Sequence, residues 1–185
     1  MKKSIIIPSV IIICLLFIGL YITKDITRDI NRAKGILIEK FSDDEENKFF
    51  ATVDLDKYDY VKLLDVYYHR LTIDPYYIIS FKVPKSHVEE FENSYLIEHK
   101  YSVGGDFDFA RFFPNRDYSP KDCKVYHSFE HNSTVIYVKE HDEMDYYEYH
   151  IRNIGNPNPD TRHLIQEQVD NKNYRVIGML KSVYS

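Results

Sequence analysis

The sequence predicts an α+β fold, with a mainly antiparallel sheet and flanking helices, preceded by one N-terminal transmembrane helix. Three observations predict it. Residues 5–22 form an apolar run without a charge. Residues 76–95 have the pattern of a strand followed by a helix. Residues 124–152 divide into three short alternating runs joined by polar turns, which is typical of an antiparallel meander.

The apolar run is long enough to cross a bilayer as a helix, since a helix rises about 1.5 Å per residue and the hydrocarbon core is about 30 Å thick. Lys2 and Lys3 precede it, as they would in a secretory signal. The end of the run offers bulky residues where a signal peptidase needs small ones. Cys14 invites a lipoprotein reading, but Ile13 stands where a small residue is required. We therefore expect an uncleaved anchor.

The orientation of the anchor rests on two cues that conflict. The short tail carries Lys2 and Lys3, which favours a cytoplasmic N-terminus. The other side of the run also carries four basic residues within residues 24–34, and the positive-inside rule counts Lys and Arg. A short tail with two lysines rarely translocates. We expect a single-pass membrane protein with a cytoplasmic N-terminus and an extracytoplasmic domain.

The composition sets limits on the domain and its partners. The chain has 185 residues, so one ordinary domain remains after the anchor. Its net charge is -5 and no basic stripe follows the membrane-proximal segment, so we expect no nucleic-acid partner. The chain has two cysteines, Cys14 in the run and Cys123 in the domain. An intradomain disulfide is excluded, and we expect a buried thiol rather than a bridge between chains. The 17 tyrosines favour strand packing, with a binding surface as the alternative.

The pattern divides the chain into three parts. Residues 1–23 are the signal-anchor helix. Residues 24–47 comprise an amphipathic juxtamembrane helix and a polar linker, and residues 48–185 form a single globular α+β domain. The helix is predicted because apolar residues recur three and four apart with charged residues between them. These residues are Ile26, Ile30, Ala33, Leu37 and Phe41.

The first half of the domain contains both strand and helix signals. Residues 49–55 alternate and predict a first strand, whereas residues 56–71 fit either a helix or a strand. Residues 76–83 predict a strand. Residues 86–95 begin with a capping-box pattern and predict a helix.

The second half is dominated by the predicted meander. Its strands cover residues 124–129, 134–140 and 146–152. In the third strand, apolar and aromatic residues share one face, which we expect to be core, and we expect the opposite face to be wet. The predicted wet face consists of Glu148, His150 and Arg152. A short helix capped by Asp160 or Thr161 and a last strand within residues 174–183 complete the domain.

One spacing resembles a catalytic signature. His127, Glu130 and His131 form an H-x-x-E-H string, which is similar to the inverzincin zinc-peptidase motif. That chemistry needs both histidines on one helical face as zinc ligands, with the glutamate activating water. The flanking residues are β-like, so we interpret the string as residues of a hairpin turn. The alternative is a membrane-tethered zinc-dependent hydrolase with Glu130 as the catalytic residue and His127 and His131 as the metal ligands.

No other segment carries a catalytic or cofactor signature. The acidic segments 104–108 and 141–145 do not match a calcium loop, and we interpret them as solvated turns. A nucleophile elbow and a glycine-rich phosphate loop are both missing. We expect no cofactor and no bound metal. The function that the sequence favours is a non-enzymatic binding or interaction domain at the cell envelope, one form of which is a domain that neutralises a protein partner.

The anchor yields the first testable prediction. Because small residues are missing at the end of the apolar run, we expect the mature protein to keep residues 1–22. Mass spectrometry of the membrane fraction should detect peptides upstream of Thr23. A mature chain that begins near Thr23 or later would show that the run is a cleaved signal.

Overall fold

A computed structural model describes residues 34–69, 76–104, 113, 115–128, 134–154 and 158–178. These residues form an α+β fold with one eight-stranded sheet, which confirms the predicted fold class for this part of the chain. Every pair of neighbouring strands is antiparallel. The predicted anchor lies outside the described residues, and none of the helices within them is long and apolar enough to span a membrane.

The elements follow one another along the chain as strands interrupted by three helices. The strands are β1 (Lys34–Ile38), β2 (Lys62–His69), β3 (Tyr76–Pro84), β4 (Ser102–Val103), β5 (Lys124–Ser128), β6 (Thr134–Lys139), β7 (Tyr146–Ile154) and β8 (Arg175–Gly178). The helices are α1 (Asp43–Ala51), α2 (Val88–Phe91) and α3 (Pro159–Asp170). A 3-10 turn (Lys85–His87) precedes α2 and a π turn (Glu92–Leu96) extends it. The order across the sheet is β4-β5-β6-β7-β3-β2-β1-β8.

The sheet is buried on both faces. One face, which we call the helix face, packs against the apolar side chains of the three helices, including Phe49, Phe91 and Leu164. The opposite face carries a second, smaller apolar cluster that contains Tyr67, Ile78 and further strand residues together with the loop residue Phe113. We call it the strap face, because residues 115–123, the strap, contact it through hydrogen bonds. Burial on both faces explains why several strands are apolar at consecutive positions rather than at alternate ones.

The predicted juxtamembrane helix is wrong over Lys34–Ile38, which is strand β1. Leu37 contributes to the core of the strap face and Ile38 to that of the helix face, so both sides of this segment are apolar. Leu37 and Phe41 are four residues apart, which is also the spacing of an apolar stripe on a helix, and this spacing led to the wrong prediction. Gly35 lowers the helix propensity of the segment. Residues 24–33, the remainder of the proposed helix, lie outside the described residues.

The strand predicted for residues 49–55 is also wrong, because α1 covers residues up to Ala51. The polar segment before it is a helix start rather than a linker. Ser42 caps α1 by accepting a hydrogen bond from the Glu45 backbone, and the Glu45 side chain accepts one from the Ser42 backbone at 2.7 Å. Phe49 and Phe50 are then buried on the helix face. The capping box at Ser42 therefore favoured a helix, and this signal outweighed the short apolar alternation that had predicted a strand.

The other predicted elements are present, with two corrections at helix starts. Residues 76–83 lie in β3, the meander is β5, β6 and β7, and the ambiguous segment 56–71 contains β2. The helix predicted after β3 exists, but it begins with the 3-10 turn and has no side-chain cap, so the capping box predicted there is wrong. Asn158 caps α3, in place of the predicted Asp160 or Thr161, because Pro159 takes the first helical position. Strand β8 lies within the predicted last strand.

Gly35 gives a prediction about the strap face. A Cβ atom at this position would overlap the ring of Tyr67, so Gly35→Ala should destabilise the protein by about 1–3 kcal/mol through overpacking. Urea unfolding of the purified protein measures this cost. The exposed Lys40→Ala serves as the control and should change stability by less than about 0.5 kcal/mol. If Gly35→Ala is as stable as this control, the close packing of Tyr67 on β1 is wrong.

Candidate functional site

The most unusual feature of the fold is a row of polar side chains across the middle of the strap face. Tyr137, His150, Ser80 and Asp65 stand directly opposite one another on the neighbouring strands β6, β7, β3 and β2. Residues opposite one another in an antiparallel pair project to the same face, so register alone aligns these four side chains. The row lies at the centre of the sheet rather than at an edge.

This face is not wet, and the prediction that Glu148, His150 and Arg152 face solvent is wrong. These residues are 9%, 0% and 7% exposed. Period-two alternation places them correctly on the face opposite Tyr149, but it does not reveal what covers that face. The strap covers the middle of this face, and Phe113 packs on the His150 ring with centroids 4.4 Å apart.

Arg116 of the strap connects two carboxylates on the sheet. Its Nη2 lies 2.8 Å from Asp65 Oδ2 and its Nε lies 2.9 Å from Glu148 Oε2. Asp65 is on β2 and Glu148 is on β7, with β3 between them, so one guanidinium spans three strands. Asn115 donates to Asp65 Oδ2 at 2.7 Å. Charge-assisted hydrogen bonds of this kind are about twice as strong as neutral ones, and they fix the strap in position.

Tyr118 extends the same network to His150. Its hydroxyl lies 2.6 Å from Glu148 Oε2 and 2.6 Å from His150 Nε2. Because an ionised carboxylate only accepts, Tyr118 donates to Glu148 and its oxygen accepts from the Nε2–H of His150. The Nδ1 atom of neutral His150 then accepts from the Ser80 hydroxyl at 3.0 Å. The hydrogen bond from Tyr118 to Glu148 thus favours one tautomer of the histidine, with the proton on Nε2.

Burial changes the proton affinities of these groups. Burial, and then the charge of Arg116, hold the pKa of His150 well below its ordinary value, so this histidine is neutral. Burial raises the pKa of Asp65, and Arg116 opposes this only in part. Burial acts to lower the pKa of Arg116, but Asp65 and Glu148 outweigh it and the pKa is raised. Burial and then Glu148 raise the pKa of Tyr118, which therefore keeps its proton.

The side chains in this network are of types that perform catalysis, but their arrangement is structural. Ser80 is hydrogen-bonded to His150, which lies 3.7 Å from Glu148, and serine, histidine and a carboxylate also compose nucleophilic triads. A triad requires a nucleophile that a substrate can reach. Ser80 is 3% exposed in the middle of a central strand. The network therefore holds the strap to the sheet and offers no attacking group.

The described residues include one of the three residues of the sequence-predicted zinc site. His127 lies in strand β5, and its Nδ1 contacts the Gly104 carbonyl oxygen. Ser128 pairs with Thr134, so five residues connect β5 to β6. Glu130 and His131 belong to this connection, outside the described residues. Within the described part of the chain, no group of three or more His, Cys, Asp or Glu side chains is placed to hold a metal ion.

Cys123, the predicted lone thiol of the domain, lies at the end of the strap. It is a half-buried free cysteine whose Sγ lies 3.8 Å from the Ser119 carbonyl oxygen. Burial raises its pKa to about 12. The acidic turn at residues 142–145 is exposed, as the sequence predicted. Its neighbour His141 instead approaches the network, with Nε2 3.4 Å from Glu148 Oε1.

Sequence reasoning missed the network for an identifiable reason. The polar residues of the row come from four separate strands. Their partners Asn115, Arg116 and Tyr118 lie between Pro114 and Pro120, in a segment whose sequence has the loop signals of two prolines and no helix or strand pattern. A signal was nevertheless present. Ser80 interrupts the apolar and aromatic run from Tyr76 to Phe81 in β3, and a polar residue in such a run has a partner when it is buried.

The strap network predicts a large effect for loss of Arg116. Arg116→Met leaves Asp65 and Glu148 buried near one another without their shared cation, which should cost about 3 kcal/mol of unfolding free energy. The exposed pair of Arg175 and Glu39 provides a matched control, and Arg175→Met should cost less than about 1 kcal/mol. Urea unfolding compares the two variants. Equal small costs would show that Arg116 does not hold the strap.

The buried histidine predicts acid sensitivity with a definite sign. A group whose pKa is lowered in the folded state contributes stability that is present above its unfolded pKa of about 6.5 and is lost as pH falls. The unfolding free energy of the wild type should therefore fall between about pH 7.5 and pH 5.5. His150→Gln should remove part of this fall. The raised pKa of Asp65 acts in the opposite direction, since it favours the folded state as pH falls, but Asp65 is present in both proteins and does not affect their difference. Parallel pH profiles for the two proteins would contradict the assignment.

The chain was compared with protein-family models, with curated proteins and with solved structures, and none of the three comparisons found a match.

Proposed function

We propose that the protein is a single-pass membrane protein whose extracytoplasmic domain acts by binding a protein partner at the cell envelope, without catalysis. One form of this activity is neutralisation of that partner. The anchor is the apolar run at residues 5–22, which limits the domain to partners near the membrane.

The observation that carries the proposal is that the reactive side chains on the strap face are buried and hydrogen-bonded. Asp65, Ser80, Glu148 and His150 are all buried and hydrogen-bonded to each other or to the strap. Groups committed in this way stabilise one conformation and are not available to a substrate. A domain that uses its polar groups for rigidity presents a fixed outer surface, and pre-organised surfaces favour binding.

The outer surface has apolar positions that a partner could cover. Ile97 and Val103 are 66% and 69% exposed, and Val176 on the edge strand β8 is 52% exposed. Strand β8 pairs with β1, the first strand in the described part of the chain, and Val176 stands opposite Ile36. Single exposed apolar residues are common on protein surfaces, so these positions guide the experiment and do not define a site.

The binding function is tested by site-specific photo-crosslinking in intact membranes. A crosslinking residue at Val103 or Val176 should give a discrete adduct with another protein, whereas the exposed polar position Glu167 on α3 serves as the control. Protease added to intact cells should digest the domain, as the proposed topology requires. Failure to form an adduct at either apolar position, or protection of the domain until lysis, would contradict the proposal.

A parallel measurement tests the hydrolase alternative. The binding function predicts that the purified protein contains almost no zinc and that His127→Ala with His131→Ala leaves metal content unchanged. The physical reason is that His127 lies in strand β5, so the helix that would present both histidines of an H-x-x-E-H site on one face does not run through His127. Stoichiometric zinc in the wild type, lost in the double variant together with a hydrolytic activity that also requires Glu130, would replace the binding function with the enzyme.

A further inference from the structure

A second set of polar side chains lies on the strap face, at the end of the sheet where residues 70–75 connect β2 to β3. It comes from strands β2, β3, β6 and β7, and none of its members is more than 9% exposed. We call this set the arginine cluster. It consists of Tyr67, His69, Tyr76, Tyr137 and Arg152.

Arg152 is buried without a counter-charge among the described residues. It stands opposite Val135 on one neighbouring strand and Ile78 on the other. Its guanidinium lies over the Tyr76 ring, with Cζ 4.5 Å from the ring centroid. Its Nε is buried and has no hydrogen-bond partner. Buried arginines in proteins are paired as a rule, and Arg116 on the same face, with its two carboxylates, illustrates this.

Two more buried polar atoms in the arginine cluster lack a hydrogen bond within 3.5 Å, namely Nε2 of His69 and the hydroxyl of Tyr137. Burial raises the pKa of Tyr137, and the nearby Arg152 guanidinium opposes that rise. The Tyr67 hydroxyl lies 3.1 Å from Nδ1 of His69, and when it donates to that atom the proton of the neutral ring is on Nε2. Burial, and then the charge of the nearby Arg152, lower the pKa of His69, so the ring is neutral.

The unpartnered atoms share one chemical character. Arg152 Nε–H and the Tyr137 hydroxyl can both donate hydrogen bonds, and Nε2 of His69 can donate when the ring proton is on that nitrogen, so the complement of these groups is an acceptor with negative charge. Arg152 is the one formal charge in the cluster, which matches a monovalent anion and would leave a phosphate dianion incompletely neutralised. The planar guanidinium suits a carboxylate, and the tyrosine rings and Val135 provide apolar contact for a carbon skeleton.

We propose that the arginine cluster is a binding site for the carboxylate group of a small organic acid or of a peptide C-terminus. The guanidinium of Arg152 holds the carboxylate, and Tyr137 and His69 donate to the remaining acceptor positions. This site lies inside the domain, away from the outer apolar positions, and does not depend on the proposed protein partner.

The experiment uses the full-length protein in detergent micelles. Sodium benzoate is titrated by calorimetry and by its effect on the unfolding temperature, with sodium chloride and sodium phosphate at matched ionic strength as competing probes. A ligand that binds the folded state raises the unfolding temperature in a saturable way. A short peptide with a free C-terminus, compared with its amidated form, separates a chain terminus from a free organic acid. Saturable binding of either carboxylate probe, in preference to phosphate and chloride, is the expected result.

Three variants decide whether the arginine cluster is the site. Arg152→Met should weaken carboxylate binding at least about tenfold, since it removes a charge-assisted pair. Tyr137→Phe keeps the packing, removes one donor and should weaken it several-fold. The exposed Arg175→Met is the matched control and should bind as the wild type does. Where Arg152→Met does not fold, Arg152→Lys retains the charge without the planar fork and should also bind more weakly.

Other results would overturn the site. These are the absence of a saturable response to every carboxylate probe, equal affinity in the wild type and the folded Arg152 variant, or tighter binding of phosphate than of benzoate. Each of these leaves the crosslinking result with a protein partner unaffected, so failure of the carboxylate site is distinguishable from failure of the proposed function.

Discussion

The contact of Arg116 with Asp65 and Glu148 joins a loop to strands β2 and β7 across β3, and the strap face depends on it. A bare sheet face with two carboxylates, a histidine and a serine would be hydrated and would not support an apolar cluster. The strap supplies a guanidinium and an amide to Asp65, and the guanidinium and a phenol to Glu148. The phenol also contacts His150, which in turn is hydrogen-bonded to Ser80. Phe113 and Cys123 can then pack beside the network. The polar contacts are thus a condition for apolar burial on this face.

The two faces of the sheet are stabilised by different chemistry. The helix face is an aromatic core, in which the Phe91 ring stacks on Tyr95 and meets the ring of Tyr149 edge to face. The strap face combines ion pairs with hydrogen bonds that have fixed directions, and an unsatisfied member is costly there. The helix face therefore supplies most of the apolar burial, and the strap face determines how the strap is held on the sheet.

The same distinction explains which features the sequence could predict. Periodicity and turn residues identified β3, the meander and α3, because these elements depend on local pattern. The pattern failed where a segment is buried on both sides, as in β1, and where a capping box competed with a short alternation, as in α1. Glu148 and His150 were placed on the correct face of β7 and given the wrong environment. Their environment is set by Arg116, a residue more than thirty positions away, and no local pattern records that contact.

Thiol reactivity at Cys123 tests the central claim that the strap is held on the sheet. Cys123 ends the strap, and burial raises its pKa to about 12. In a Cys14→Ser variant, a soluble thiol reagent at about pH 8 should modify the folded protein at least about a hundredfold more slowly than the unfolded protein, because little thiolate forms and access requires opening of the strap. Modification of the native protein at the unfolded rate would show that the strap is not fixed on the sheet, and would contradict the account.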